Sequence, residues 1–188
     1  MKVSLNLIRK YVDLPEGLTD EQIAYDMTLR TVEVEDVENT AKKFHDIVVG
    51  EILEIKAHPN ADKLRICMVN IGEEEPVQIV CGGSNLYVGE HVVVSKPGAE
   101  VVWHGQGEPV KITKTKMRGE SSYGMICAST EVYLSDFFPN EGEEEIVDLK
   151  GFDCKPGDSV ADLFGMNDTV LEIDNKSLSN RPDLWGHY

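Results

Sequence analysis

The chain has 188 residues, with 34 acidic and 18 basic side chains and a formal net charge of -16. That length can bury the core of one or two domains, but no apolar run approaches the roughly 18 residues needed to cross a bilayer. The N-terminus also lacks the apolar stretch and the cleavage site of a secretory signal, so the sequence predicts a cytoplasmic protein without a membrane anchor.

Charge and metal-binding residue types restrict the possible ligands. A chain this acidic repels polyanions, so any binding of nucleic acid has to be local or weak. The five histidines are dispersed, and the cysteines lie too far apart to form a CxxC pair. We therefore predict no metal site, and we expect buried, unpaired thiols at Cys67, Cys81, Cys127 and Cys154.

The first forty residues predict two helices and a strand. Apolar residues at spacings of three and four favour a short helix from Ser4 to Val12. Thr19 and Gln22 have the spacing of a capping box, which predicts the start of a second helix. Strict alternation predicts a strand over 31–37. Val32, Val34 and Asp36 would lie on one side of that strand, and Val37 on the other.

From about residue 46 the pattern becomes that of a β-protein. Short runs rich in valine and isoleucine alternate with turn residues, without a helix of ordinary length, and this favours a small closed barrel. The acidic run 141–145 is predicted to be a solvated loop. After residue 151 a brief helix over 160–164 precedes a strand over 170–174, which could pair with the strand at 31–37.

Three segments of the middle region occur in an order that points to a known module. They are HPNADKL at 58–64, QIVCGGSN at 78–85 and KMRGESSYGMIC at 116–127. Together they resemble the tRNA-binding OB-fold module of bacterial phenylalanyl-tRNA synthetase β subunits, of many methionyl-tRNA synthetases and of small free-standing tRNA-binding proteins.

The segments on either side of the middle region indicate which of these relatives the chain resembles. KVSLNLI at 2–8 and YVDL at 11–14 resemble the start of the phenylalanyl-tRNA synthetase β subunit. VLEID at 170–174 and NRPD at 180–183 resemble the segment that follows its OB module, where we expect Arg181 to pair within the chain. The resemblance therefore extends over nearly the whole chain.

The resemblance implies a five-stranded OB-fold β-barrel inserted into a small α+β domain built from both chain ends. The implied boundaries are 1–38 and 152–188 for the outer domain and 39–151 for the barrel. The family's β subunit continues far beyond Tyr188, and the partner α subunit performs aminoacylation with ATP and Mg²⁺. This chain is accordingly expected to be non-catalytic, with no cofactor of its own, and to bind tRNA weakly.

Basic residues near the end of the barrel are candidate contacts to RNA. If 110–118 is one strand, Lys114, Lys116 and Arg118 share a face and could follow phosphates. The alternative is a solvated edge strand that lysines keep soluble. Trp103 and Tyr123 could stack on bases, although core packing is the commoner use of such side chains.

Two loops supply further candidates. The resemblance places the loop 58–63, with Asn60 and Lys63, on the rim of the binding face, whereas its residue types also suit a simple turn. Ser84 and Asn85 could donate to a phosphate or a base edge, but their Gly-Gly-Ser-Asn context equally favours a strand reversal.

Three functions remain open at this point. The first is the N-terminal part of a phenylalanyl-tRNA synthetase β subunit, which would serve tRNA positioning and assembly. The second is a free-standing tRNA-binding protein, in which the segment 180–188 would have no role. The third is a structural scaffold that makes no RNA contact, and the acidic charge of the chain favours it.

Overall fold

The computed structural model describes residues 1–174 except 16, 140, 141 and 143, and these residues form two compact units. The outer unit combines Met1–Lys42 with the described residues from Asn167 onward, and the barrel unit spans Lys43–Met166. Their regular elements are β1 (Lys2–Ser4), α1 (Leu5–Ile8), α2 (Asp20–Arg30), β2 (Glu33–Asn39), β3 (Ile47–Ala57), β4 (Arg65–Asn70), β5 (Val77–Cys81), β6 (His91–Ser95), β7 (Glu100–Val101), β8 (Val110–Lys111), β9 (Thr115–Met117), β10 (Glu120–Ser122), β11 (Met125–Ile126), α3 (Val160–Leu163) and β12 (Thr169–Asp174).

The outer unit is an antiparallel sheet in the order β1-β12-β2, so the last strand lies between the first two. Leu5 of α1, Ile23 of α2, and Leu171 and Ile173 of β12 form its core. The predicted pairing of the strand near residue 35 with the one near 172 is confirmed, as is an α+β unit built from both chain ends.

The helix starts were predicted better than the helix ends. Thr19 and Gln22 form the expected capping box, with both reciprocal bonds present. Ser4 caps α1 by accepting a hydrogen bond from the Leu7 N–H. The first helix ends at Ile8, because Lys10 and Tyr11 donate to carbonyls three residues back and tighten the chain into turns. Its predicted extension to Val12 is therefore wrong.

A β-bulge changes the faces of β2. Asp36 lies opposite Glu172 and Val34 lies opposite Ile173, which leaves Glu35 as an extra residue in the ladder. As a result, Val34 and Val37 both pack against the core of the outer unit. The predicted alternation, which put Val37 on the side opposite Val34, is wrong for this reason.

The barrel unit contains the predicted five strands, antiparallel in the order β11-β6-β3-β4-β5. The end of β10 and the residue after it lie against β5. The Tyr123 N–H donates to the Gln78 carbonyl at 2.9 Å, and the Val80 N–H donates to Ser122 Oγ at 3.0 Å. These bonds nearly close the sheet, and the OB-type barrel is confirmed. Its core consists of inward side chains that include Ile52, Val69, Ile79, Val92 and Ile126.

Residues 152–166 pack with the barrel, although the sequence assigned them to the outer domain. The Gly157 N–H donates to the Val49 carbonyl at 2.8 Å, and the Val49 N–H donates to the Asp158 carbonyl at 2.9 Å. This segment is thus hydrogen-bonded to β3, and the structural boundary falls after Met166 instead of residue 151.

The remaining general predictions concern thiols, membranes and metals. All four cysteines are buried and form no disulfide, as predicted. Within the described part of the chain, no helix is long and apolar enough to span a bilayer. The same residues contain no group of three or more His, Cys, Asp or Glu side chains that could hold a metal ion. The segment 180–183 and its predicted Arg181 pair lie outside the described residues.

Candidate nucleic-acid interface

A hairpin carries two of the four candidate basic side chains, Lys116 and Arg118. β9 and β10 are joined by the two residues Arg118 and Gly119, with Met117 opposite Glu120. Both turn residues have positive φ, 50° and 103°, as a type I′ hairpin turn requires. The segment 109–119 contains four basic residues and no acidic residue, which sets it apart from this acidic chain.

The predicted single strand over 110–118 is wrong, so a period of two no longer places Lys114, Lys116 and Arg118 on one face. β8 ends at Lys111, and the Ile112 N–H then donates to the Ala99 carbonyl at 2.8 Å, which draws the buried Ile112 inward. Lys114 therefore precedes β9, Lys116 lies within it, and Arg118 occupies the turn. We call residues 114–118 the basic segment.

Two aromatic residues differ in their surroundings. Tyr123 packs partly against the barrel core, and Lys114 Nζ lies 4.5 Å from its ring centroid, within cation–π range. Trp103 is 45% exposed and meets the His104 ring edge-on at 5.3 Å between centroids. The expectation of core packing suits Tyr123 but does not apply to Trp103.

His58 fastens the neighbouring loop to the basic segment. Its Nδ1 accepts a hydrogen bond from the Asn60 N–H at 3.1 Å, so the ring proton lies on Nε2. That Nε2–H donates to the Met117 carbonyl at 3.0 Å. Since His58 is buried, these two bonds fix the loop as a well-defined turn and hold it beside the hairpin.

Asn60 extends the same connection. Its Nδ2 donates to the Arg118 carbonyl at 3.1 Å, and the Arg118 guanidinium lies 3.5 Å from the Asn60 carbonyl oxygen. The amide of Asn60 thus holds the left-handed turn that presents Arg118. Its contribution to a binding face is to position the neighbouring cation.

Lys63 lies at a polar cleft of about 400 Å³ on the other side of this loop. Its Nζ is 3.0 Å from Glu144 Oε1, and the pair is well exposed. Glu144 belongs to the acidic run that the sequence predicted to be only a solvated loop. The cleft is lined by Ile55, Asp62, Lys63, Arg65, Gly82, Gly83, Ser84, Leu86 and Glu144.

Arg65 is a cleft residue that sequence reasoning missed. Its Nη1 donates to the Asp62 and Leu64 carbonyls at 3.0 and 3.1 Å, which stiffens the loop that also carries Lys63. The signal that could have found it is its position as the first residue of β4, directly after the 58–64 motif.

Both polar ends of the Asn85 side chain are hydrogen-bonded within the protein. Its Nδ2 donates to the Ile146 carbonyl at 3.1 Å, and its Oδ1 accepts from the Ile146 N–H at 3.0 Å. Asn85 therefore imitates a strand neighbour for Ile146. The adjacent Ser84 N–H donates to the Glu144 carbonyl at 2.9 Å, so the two loops are joined at two points.

Asn85→Asp should lower the free energy of unfolding by about 1–3 kcal/mol, because the aspartate loses the donor and turns an oxygen toward the Ile146 carbonyl. Urea denaturation measures the change. The matched control is Ser84→Ala, which removes the exposed Oγ bond to the Glu144 carbonyl at 3.3 Å but keeps the backbone bond to the same oxygen, and it should cost less than about 1 kcal/mol. Equal losses for the two variants would contradict the role assigned to the Asn85 amide.

Comparisons with known proteins identify the family of this chain. A sequence profile described as "Putative tRNA binding domain" matches residues 47–158. The phenylalanine–tRNA ligase β subunit of Halalkalibacterium halodurans is 38% identical over 188 residues, which cover 100% of this chain and 22% of that protein. The β subunit of Bacillus licheniformis is 40% identical over 174 residues, 92% of this chain and 21% of that protein.

Among solved structures, the CsaA chaperone protein from Picrophilus torridus aligns with a TM-score of 0.42 at 13% identity, over 62% of this chain and 91% of that one. The chain spans about a fifth of the length of the curated relatives that it matches. It belongs to the tRNA-binding domain family, and its whole length corresponds to the N-terminal region of phenylalanine–tRNA ligase β subunits.

Proposed function

We propose that this chain binds and positions tRNA as part of a phenylalanine–tRNA ligase. The observation that carries the proposal is the charge of 109–119, which has four basic and no acidic residues in a chain whose net charge is -16. A local cationic segment beside an OB-type barrel suits a phosphate backbone, which supplies most of the affinity in nonspecific nucleic-acid binding.

The candidate residues would have different roles in binding tRNA. Lys114, Lys116 and Arg118 would contact phosphates, and Asn60 would hold the turn that presents Arg118. Lys63 would contribute only after it exchanges Glu144 for a phosphate, which weakens its net effect. Asn85 would support the cleft without touching RNA, because both polar ends of its amide are bonded to Ile146.

Other parts of the whole enzyme would perform the aminoacylation reaction. We propose a partner α subunit in the cytoplasm that attaches phenylalanine to tRNA with ATP and Mg²⁺. This chain would contribute tRNA positioning and subunit assembly, and we assign no catalytic group to it. The support is its full-length alignment with β subunits of that ligase.

Isolated residues 1–188 should bind tRNA with a Kd of about 10⁻⁴ M or weaker at physiological salt, where nonspecific affinities lie. Filter binding at low salt should detect the interaction. The triple variant Lys114→Glu/Lys116→Glu/Arg118→Glu should abolish it, because repulsion replaces three attractive contacts. Micromolar affinity of the unaltered chain at physiological salt would contradict the expected weakness.

The matched control is Lys10→Glu/Lys150→Glu/Lys155→Glu, which changes the net charge equally at exposed positions outside the basic segment. Its tRNA affinity should fall much less than that of the first triple variant. If both triple variants bind equally well, the basic segment is not the site.

The two alternative functions, a free-standing tRNA-binding protein and a structural scaffold, predict different observations. A free-standing tRNA-binding protein would not need sequence outside the barrel, whereas relatives align across the complete chain. A pure scaffold, which the net charge favours, would show no tRNA binding even at low salt, and the triple variant would then leave ligase activity of the assembled enzyme unchanged.

A further inference from the structure

Four of the five phenylalanines of the chain meet at the surface of the barrel unit. We call them the phenylalanine cluster. Neighbouring rings are 5.4–5.7 Å apart between centroids, in tilted or edge-on pairs, which is a favourable aromatic geometry. The members are Phe137, Phe138, Phe152 and Phe164.

The cluster remains partly open to solvent. Phe137 is 51% exposed and Phe152 is 42% exposed. Single exposed apolar side chains are ordinary, but several large ones in mutual contact characterise interaction surfaces. Rings that merely completed the barrel core would be buried, as Phe44 is.

Backbone hydrogen bonds hold the rings in place before any partner arrives. Phe137 and Phe138 both donate to the Leu134 carbonyl, at 3.0 and 2.9 Å, and Leu134 is itself fully buried. Phe152 donates to the Leu149 carbonyl at 3.1 Å. Such a preformed surface loses little conformational entropy on binding.

The acidic residues near the phenylalanine cluster indicate which kind of partner could bind it. Residues 135–166 include nine acidic and two basic side chains in the sequence. Two of these acidic residues, Asp136 and Asp153, are exposed chain neighbours of Phe137 and Phe152, and we call this pair the acidic rim. This rim repels RNA, and it would repel the same rim on a second copy of the chain. It attracts cationic groups that flank an apolar anchor.

We propose that the phenylalanine cluster docks a separate protein that presents large apolar side chains between lysines or arginines. The apolar anchors would cover the exposed edges of Phe137 and Phe152, and the cations would face the acidic rim. This surface shares no residue with the basic segment.

Two synthetic twelve-residue peptides test the proposal by calorimetric titration into the 188-residue chain. Both carry the same leucines and one tryptophan; four lysines flank them in the first peptide and four glutamates in the second. The lysine peptide should bind with submillimolar Kd, and the glutamate peptide should not bind. The double variant Phe137→Ser/Phe152→Ser should raise the Kd of the lysine peptide at least fivefold.

The control Leu53→Ser/Val88→Ser removes two exposed apolar side chains of the same unit elsewhere and should leave the affinity unchanged. Asp136→Lys/Asp153→Lys keeps all four rings and should reverse the preference between the peptides, so the proposal stays testable if the serine variant unfolds. Equal binding of both peptides, or an affinity that neither the Phe137/Phe152 variant nor the Asp136/Asp153 variant changes, would overturn it. A concentration-dependent dimer lost in the phenylalanine variant would instead assign the surface to a second copy.

Discussion

Gly124→Ala should lower the free energy of unfolding by about 3 kcal/mol, at the upper end of the cost of overpacking. A Cβ on Gly124 would lie 2.4 Å from the Ser95 carbonyl oxygen, and this neighbour is backbone that cannot rotate away. Gly124 connects β10 to β11, where Met125 pairs with Ser95. The clash therefore acts where the barrel closes.

Urea denaturation followed by circular dichroism measures this loss. Gly82→Ala is the matched control, because its Cβ would meet only Leu64 Cδ2, at an ordinary 3.6 Å. The control should change the free energy of unfolding by less than about 1 kcal/mol. If the two alanine variants are equally stable, the approach of Gly124 to Ser95 is not a constraint on the barrel.

Glu90→Gln should make the stability of the barrel less dependent on pH. Glu90 is fully buried; its Oε2 accepts from the Tyr87 N–H at 3.1 Å, and its Oε1 has no hydrogen-bond partner among the described residues. Burial, with a smaller contribution from the charge of Asp148, raises the pKa of Glu90 from 4.5 to about 7. The protonated carboxyl is thus favoured in the folded chain.

The direction of the effect follows from proton uptake. Between pH 4.5 and about 7 the folded state holds a proton on Glu90 that the unfolded state has released, so stability falls as pH rises. The contribution is fully present below pH 4.5 and is lost above about 7. It amounts to roughly 3 kcal/mol, at about 1.4 kcal/mol per unit of pKa shift.

The test measures the free energy of unfolding of Glu90→Gln and of the unaltered chain at pH 4.5, 6 and 8. The difference between the two proteins is compared across these pH values. Glutamine imitates the protonated carboxyl, so the variant should gain relative stability toward pH 8. The control is Gly82→Ala, which alters no ionisable group and should give a profile parallel to that of the unaltered chain. Parallel profiles for Glu90→Gln and the unaltered chain would contradict the assignment.

Local chemistry and long-range pairing explain which parts of the fold were predictable. The capping box of Thr19 and Gln22 spans three residues, so spacing alone identifies it. The bulge at Glu35 depends on the register of β12, which lies far away in the chain. Alternation within 31–37 carries no information about that partner strand, and the faces were accordingly misassigned.

The candidate site shows the same division. The loop 58–63 was predicted as a turn from its proline, asparagine and aspartate, and the structure contains it. The contacts that define the roles of Lys63 and Asn85 join residues 81 and 61 positions apart. No local pattern predicts that Glu144 neutralises Lys63 or that Ile146 occupies the Asn85 amide.

The order of strands in the outer unit has a consequence for biosynthesis. Among the described strands, β1 and β2 pair only with β12 and not with each other. Neither strand can therefore form its sheet hydrogen bonds until β12 has been synthesised. All five barrel strands leave the ribosome before Thr169–Asp174 does, and the barrel has its own core. Translation from the N-terminus therefore lets the inserted module fold first, and its compaction brings the tethered ends together so that the host sheet can be completed around its central strand.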